Sequence, residues 1–249
     1  IVFIQMTVIE MVDNTQKAQQ LADLLADVWG GERSIQMDVI VAVVHSGGYA
    51  SLATQESDGK TRVVGGSLAF IGQPEKKLHS HVTGVVKDST NSGIGSALKQ
   101  HQWNWAKEND FVSITWTFDP LVRRNAHFNL ISLGAKVISY HLDFYGELDD
   151  KFNAGDKTDR LYVERQVAGH ITPPSSTPCI ATNDDVLIAT PSDIVALRQS
   201  SNPDSRAEML RLRQTQRENF QSALADSRFV RGFTSDGSFV LSRDSRNEN

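Results

Sequence analysis

Apolar and polar positions alternate along this chain with two different periods, and the switches between them mark out its elements. From Thr15 to Trp29, apolar residues recur at Ala18, Leu21, Leu24, Leu25 and Val28, the spacing that gathers one stripe along a helix. Gly30-Gly31 ends that helix, since glycine loses the most backbone freedom on joining one. Met37 to Val44 predicts a second short helix, stopped by Ser46-Gly47-Gly48. Ahead of both, Ile1 to Ile9 is apolar but has no basic leader or small-residue cleavage site, so a first strand is expected there. Tyr49 to Thr54 and Val63 to Phe70 predict two strands around Ser57-Asp58-Gly59-Lys60, whose Asp-Gly pair is a hairpin signal.

The pattern then changes character within one stretch, His79 to Lys107. An apolar strand ends near Val86, a polar loop runs from Lys87 to Ser92, and Gly93-Ile94-Gly95-Ser96-Ala97 opens a helix. The first backbone N–H groups of a helix lack intrahelical acceptors and lie at the positive end of its dipole. Such a turn suits a phosphate or pyrophosphate. Glycine at 93 and 95 lets a ligand approach the backbone closely. The turn is not a P-loop, because Ser96-Ala97 stands where Lys-Ser/Thr would follow the glycine. It is not a dinucleotide fingerprint either, because Leu98 holds the place of the third glycine. Tight backbone packing is the competing explanation for the two glycines.

The downstream sequence adds a resemblance. Val85-Val86-Lys87-Asp88-Ser89-Thr90-Asn91-Ser92-Gly93-Ile94-Gly95 resembles the acyl-CoA pyrophosphate loop of the GNAT superfamily of N-acyltransferases. The strand Phe111 to Phe118 follows, then Asn125-Ala126-x-Phe128 and Leu133-Gly134-Ala135, similar to the helix and Leu-Gly segment that close the core in that family. Thr115 to Leu121 and Asn153-x-Gly155-x-x-Thr158-Asp159-Arg160 resemble a branch of acetyltransferases with an added C-terminal segment. The resemblance covers about residues 5–165. Thr90 and Asn91 replace the usual Arg/Gln and Gly, Lys87 replaces Pro, and Leu130 falls where many relatives carry a catalytic tyrosine.

The resemblance implies an α/β GNAT fold, with a mixed central sheet splayed between the parallel strands Leu78–Val86 and Phe111–Phe118. It implies acetyl-CoA, or another acyl-CoA, as co-substrate and direct attack by an amine in a ternary complex. The residues it brings to the cofactor are Val85, Val86, Asn91, Ser92, Gly93, Ile94, Gly95, Ser96, Ala97, Asn125 and Phe128. A non-catalytic acyl-CoA-binding or regulatory protein on the same fold is the alternative, and a protein-modifying acetyltransferase is a third reading.

Three side chains are candidates for the chemistry. His79 and His81 share a strand face by alternation, and His81 is the candidate base for a substrate ammonium, since imidazole titrates near neutrality. Asp119 ends a strand just before Pro120 and is a second candidate base or amine ligand, with a helix-capping carboxylate as the structural reading. Tyr145 is the candidate acid for the departing thiolate. Arg160 and Glu147 are candidates for substrate binding, and Arg123 and Arg124 for phosphate or carboxylate, a guanidinium fork suiting either. His79 and His81 alone make no metal site, so none is expected.

Past Val163 the texture changes. The expected domains are a core over 1–166, a linker over 167–185 containing Pro173-Pro174-Ser175-Ser176-Thr177-Pro178, and an appendage over 186–249. In the appendage Val186–Thr190 predicts a strand, Pro191-Ser192-Asp193 starts a short helix, Ser205–Ala225 is a longer one, and Ser235-Asp236-Gly237 turns a closing hairpin. At this size it should dock on the core or on a second subunit. Its arginines at 206, 211, 213 and 217 predict a solvated helix face or a homodimer contact, and the tail from Ser242 is expected to be disordered. A net charge of −5 argues against nucleic-acid and membrane-surface partners. The single cysteine, Cys179, excludes an intrachain disulfide and fits a reducing cytoplasm. The expected partner is a small-molecule amine.

Overall fold

The computed structural model describes residues 6–29, 35–57, 59–72, 76–90, 92–146, 148, 153, 155–168 and 177–243. Several expectations lie outside them: the start of the first strand, the Gly30-Gly31 stop, Asp58 of the hairpin turn, most of the proline-rich linker, the tail past Arg243, and the roles given to Asn91 and Glu147. The chain forms two compact units, Ile1–Trp116 with Gln166–Ile171, and Thr117–Arg165 with Thr172–Asn249.

The first unit runs β1 (Thr7–Met11), α1 (Thr15–Trp29), α2 (Met37–His45), β2 (Tyr49–Ser57), β3 (Lys60–Gly72), β4 (Lys77–Val85), α3 (Ile94–Glu108) and the start of β5 (Ser113–Phe118). Its strand order is β1-β2-β3-β4-β5. Neighbours are antiparallel up to β4, and β5 is parallel to β4. The α1 stripe expected from the sequence is the buried one: Ala18, Leu21, Leu24 and Leu25 pack with Ile40 and Val43 of α2 and with Leu52 and Leu68 of the sheet. Ile94 and Leu98 of α3 pack instead with Ala53 and Val64. Leu52 and Ala53 are consecutive on β2 and so point to opposite faces, which places α1 and α3 on opposite sides of the sheet.

Two glycines let α1 lie close to the strands. Gly66 and Gly84 face each other across β3 and β4. A Cβ on Gly66 would sit 2.4 Å from Leu21 Cδ1 and 3.1 Å from the Ser51 carbonyl oxygen. A Cβ on Gly84 would sit 2.5 Å from the Trp29 ring. Gly66→Ala is therefore expected to cost about 1–3 kcal/mol through overpacking, measured as a lowered urea midpoint at unchanged slope.

The second unit takes up the end of β5 and continues with α4 (Arg123–His127), a π-helical turn over Phe128–Ser132, β6 (Lys136–His141) and most of β7 (Arg160–Gln166). It then adds β8 (Val186–Ala189), α5 (Ile194–Gln199), α6 (Pro203–Ala225), β9 (Arg228–Phe233) and β10 (Ser238–Arg243). The strand order here is β5-β7-β6, with a separate sheet β8-β10-β9. The helix starts follow their sequence signals: the Asp193 carboxylate accepts from Ala196 N–H, the Asn202 side chain from Asp204 N–H, and Pro203 takes the first turn of α6. β10 runs on through Arg243, into the tail expected to be disordered.

Residues 117–165 are packed with the C-terminal segment. Phe220 of α6 stacks on Tyr140 at 4.9 Å and meets Phe239 at 5.3 Å, and Leu121 and Val122 pack with Ile194 and Met209. The helix face expected to be solvated is divided too. Arg206 and Arg211 are exposed, Arg217 is half-buried and Arg213 is buried. Among the described residues no helix is long and apolar enough to cross a membrane.

Candidate active site

The expected anion-binding turn has the local geometry it needs. The strand β4 leads into a 3-10 turn over Lys87–Ser89, and hydrogen bonds from Thr90 Oγ1 to Lys87 O and from Ser92 Oγ to Ser89 O tie the loop down. Gly93 is the N-cap of α3, with φ of 85° in the left-handed region that favours glycine, and it offers no side-chain cap. Nothing lies within 4 Å of where its Cβ would be, and the nearest atom to a Cβ on Gly95 is Val85 Cγ2 at 3.9 Å. No acidic residue occupies the first turn of α3. The first turn of this 15-residue helix thus carries no acidic side chain to compete with an anion. Ser96 and Ala97 are exposed beside it, whereas Ile94 is buried in the core and can offer a ligand only its backbone.

The neighbouring strand edge has the second expected feature. β4 and β5 pair through Lys77–Ser113, Leu78–Ile114 and His79–Thr115, and among the described residues the ladder between them ends there. Val86 N–H is bonded to Val64 O. Strand amides alternate in direction, so Val85 N–H points the other way, along the edge that β5 leaves.

His79 and His81 stand on this strand as expected on one face, although simple alternation is not the reason. Pairing passes from Leu68–Val82 to Ala69–Ser80, so His81 is the extra residue of a bulge. Bulges re-aim a side chain. Phe70 lies directly opposite His79 and meets His81 edge-on at 5.5 Å. His79 Nδ1 is 3.3 Å from Thr115 Oγ1. Burial lowers the His79 titration, helped by the nearby charges of His81 and Lys99, and partial desolvation lowers that of His81. Both imidazoles are therefore neutral at pH 7, the form that accepts a proton. On the other side of β4, Lys99 donates to Ser80 Oγ at 2.7 Å and lies over the Trp116 ring at 4.7 Å.

In the second unit, Tyr145 sits in a bend pinned to Thr158. Asp143, in the left-handed region at φ 49°, accepts from Thr158 N–H, and Tyr145 N–H donates to Thr158 Oγ1. The Tyr145 hydroxyl is 3.0 Å from Thr117 Oγ1, and the Arg160 guanidinium lies 5.5 Å from the centre of its ring. Asn125 is on α4, half-buried, with its carbonyl accepting from Asn129 Nδ2, and Phe128 opens the π-helical turn.

Asp119 has different work from the one expected. Its carboxylate accepts from Leu121 N–H, from Arg213 Nη1 and Nη2 at 3.0 and 2.8 Å, and from Arg198 Nη2 at 2.6 Å. Burial alone would push this carboxyl up, but Arg213 and Arg198 together hold it well below the usual range. A carboxylate so held is a poor proton acceptor, and Asp119 serves as a structural anion. Arg123 is engaged as well, donating from Nε to Thr190 Oγ1 at 3.0 Å and from Nη2 to the Thr190 carbonyl. Among the described residues no group of three His, Cys, Asp or Glu is placed to hold a metal.

Sequence reading missed the partners that explain the Asn153-to-Arg160 motif. Asn153 Oδ1 accepts from Arg160, Asp156 binds both Arg198 and Arg213, Thr158 pins the Tyr145 bend, and Asp159 holds Tyr140 and Arg217. Each of these side chains thus has a bonding task inside the second unit.

An open glycine turn between a splayed parallel strand and a helix is the feature to compare with known folds. The ribosomal-protein-S18-alanine N-acetyltransferase from Escherichia coli superimposes with a TM-score of 0.51 at 11% identity, covering 66% of this chain and 96% of that one. An N-acetyltransferase from Staphylococcus aureus Mu50 gives 0.52 at 12%, covering 66% and 99%. The phosphinothricin acetyltransferase of the GNAT superfamily from Sinorhizobium meliloti, solved in complex with AcCoA, gives 0.52 at 12%, covering 64% and 88%. The fold is the GNAT fold. No protein-family model and no curated protein matches the sequence, so the likeness to GNAT structures is one of fold. The share of this chain left uncovered is about a third.

Proposed function

We propose that this protein is an N-acyltransferase that moves an acyl group, most simply acetyl, from acyl-CoA to the amine of a small molecule. The observation that carries the reading is the open, side-chain-free start of α3 at Gly93 and Gly95, set beside the β4 edge that β5 leaves after His79. On the GNAT fold this turn receives the CoA pyrophosphate. Ser92, Ser96 and the backbone N–H groups from Gly93 to Ser96 would hold it, Ala97 N–H being bonded to Gly93 O, and the co-substrate supplies an activated thioester.

His81, neutral at pH 7, takes the proton of the acceptor ammonium directly or through water. The freed nitrogen attacks the thioester carbonyl, the C–N bond forms and the C–S bond breaks. Val85 N–H is aimed at the oxygen where negative charge gathers, a contact that strengthens in the transition state. The second proton that the nitrogen sheds on becoming an amide balances the one that the leaving sulfur takes up as the CoA thiol. Holding both reactants in line supplies the larger share of the acceleration.

Isothermal calorimetry with acetyl-CoA tests the reading: micromolar-range binding supports it, and well-folded protein that binds neither acetyl-CoA nor longer acyl-CoAs sinks it. Binding without turnover on any amine would leave an acyl-CoA-binding protein instead. A second expectation concerns pH. Because the folded pKa of His81 lies below that of free imidazole, the acidic limb of kcat/KM should fall below pH about 6.5. His81→Ala should remove that limb and lower kcat about 100- to 10,000-fold, as read from a pH–rate profile.

A further inference from the structure

The part of β4 that carries the Val85 N–H is weakly held by its neighbours. Pairing with β5 ends at His79–Thr115 among the described residues, and the ladder with β3 is interrupted by the bulge at His81. Past the bulge, the pairs that lead to Val85 are Thr83–Ser67, Gly84–Gly66 and Val85–Gly65. Glycine brings no side chain to pack across a strand pair. Of the three pairs, Thr83–Ser67 alone can fasten β4 to β3 through side chains. It does so, with the two hydroxyl oxygens 2.8 Å apart.

Ser67 is tied in two further directions. Its hydroxyl donates to Val82 O at 3.1 Å and accepts from Gln102 Nε2 of α3 at 3.2 Å. A serine hydroxyl has one hydrogen to give. With that hydrogen on Val82 O, Thr83 is the donor of its pair, so one oxygen joins two consecutive residues of β4 to α3. Ser67 and Gln102 are fully buried. Gln102 Oε1 has no hydrogen-bond partner among the described residues, and a buried acceptor without a donor carries its desolvation penalty. Apolar side chains of the same shape would avoid that penalty, so stability does not account for the polar trio.

We infer that Ser67, locked by Gln102, is a positioning residue: through Thr83 it fixes the open edge of β4 and with it the aim of the Val85 N–H. This rests on the acyltransferase reading above. Val85 is two residues past Thr83, and the residue between them is Gly84, whose backbone is the least restricted. Without the hydroxyl tie, that stretch can drift. Drift matters little for holding the co-substrate, whose pyrophosphate sits on the start of α3. It matters much for the transition state, where a displacement of about 1 Å costs on the order of 100-fold in rate.

The test uses Thr83→Val, which keeps the branched shape and removes the hydroxyl, and Thr83→Ser, which keeps the hydroxyl. Each protein is bound to acetyl-CoA isotope-labelled at the thioester carbonyl, and the infrared stretch of that carbonyl is read. A well-aimed N–H polarises the C=O bond, so the stretch should lie lower in the wild type and in Thr83→Ser than in Thr83→Val. Gln102→Leu, which frees Ser67 from α3, should shift it in the same direction as Thr83→Val. Calorimetric Kd values for acetyl-CoA should agree within about 3-fold, since the contact is made chiefly in the transition state. With any amine that the wild type acetylates, Thr83→Val should lose on the order of 100-fold in kcat, and Thr83→Ser far less. One stretch shared by the wild type and Thr83→Val overturns the assignment, as does a Thr83→Ser protein that behaves like Thr83→Val. So does a Thr83→Val protein that loses acetyl-CoA affinity or melts far below the wild type, because the tie would then serve binding or the fold. Absence of acetyl-CoA binding by the wild type is a separate outcome, and it removes the acyltransferase reading itself.

Discussion

Asp119→Ala is expected to destabilise the protein by about 3–5 kcal/mol, the cost of leaving buried charges without their partner. The substitution removes one of two carboxylates that Arg198 and Arg213 share, and leaves those two buried arginines with Asp156 between them. The partners are remote in sequence, 94 residues apart for Asp119 and Arg213, so the loss loosens α5 and α6 from the residues after β5. The four tryptophans, at 29, 103, 105 and 116, all lie in the first unit. Far-UV circular dichroism follows helices of both units and must show the loss, whereas tryptophan fluorescence follows the first unit only. A far-UV transition that stays at the wild-type midpoint would show that the cluster contributes little. Replacing all four charges together with apolar residues should cost much less than removing one, because no uncompensated charge would remain.

The same cluster sets an acid limit. The Asp119 pKa is depressed in the folded state, so its contribution to stability is present above the unfolded value of about 3.9 and is lost as pH falls through the folded value. The arginines stay charged throughout. Midpoints of thermal unfolding should therefore hold steady from neutrality down to pH about 5 and fall steeply below about 4. In Asp119→Ala the part of that fall due to this carboxylate should be missing.

Much of the first unit is legible in sequence because its information is local. The α1 stripe, the Asp-Gly turn between β2 and β3, and the glycine start of α3 each declare themselves within a few residues. What escapes notice is set by pairing across distance. The bulge at His81 depends on the register with β3, which no single strand encodes. The π-helical turn at Phe128–Ser132 has no composition that marks it. Trp103 and Trp105 sit two apart on α3 and both are half-buried: Trp103 donates to Gln166 O, and Trp105 packs on Tyr49 and Phe111.

Arg213 is the instructive case. Read by residue type, it belongs to a charged, solvated face of α6. Read by spacing, it falls on the stripe Met209, Arg213, Gln216, Phe220 and Ala223, all of which are buried. Spacing decides burial here, and the chemistry of the residue then requires anions at depth. Asp119 and Asp156 supply them, which is why a carboxylate that looks like a strand-end base is held as a structural ion. A periodic stripe with an arginine in it thus predicts buried acids elsewhere in the chain, though not which ones.

Gly95→Glu is expected to abolish acetyl-CoA binding while leaving the fold as stable as before. The residue is the second of α3, after Ile94. A Cβ there meets only Val85 Cγ2 at 3.9 Å, an ordinary contact, so the side chain can be built without displacing its neighbours. Glutamate in a first helical turn gains about 0.3–1 kcal/mol from the dipole, and replacing glycine inside a helix adds roughly 0.5 kcal/mol more. The folded state should melt at the wild-type temperature or slightly above it. The same carboxylate would stand where a pyrophosphate binds. At a separation of about 4 Å and an effective dielectric near 20, one pair of like charges costs about 4 kcal/mol, on the order of a thousand-fold in Kd. Stability and affinity are thus driven in opposite directions by one substitution, and that opposition separates a binding site from a packing turn. If the glycines serve only to bring backbone together, the variant should melt lower and match the wild type in what it binds. If they cradle the co-substrate, a more stable protein will have lost its ligand.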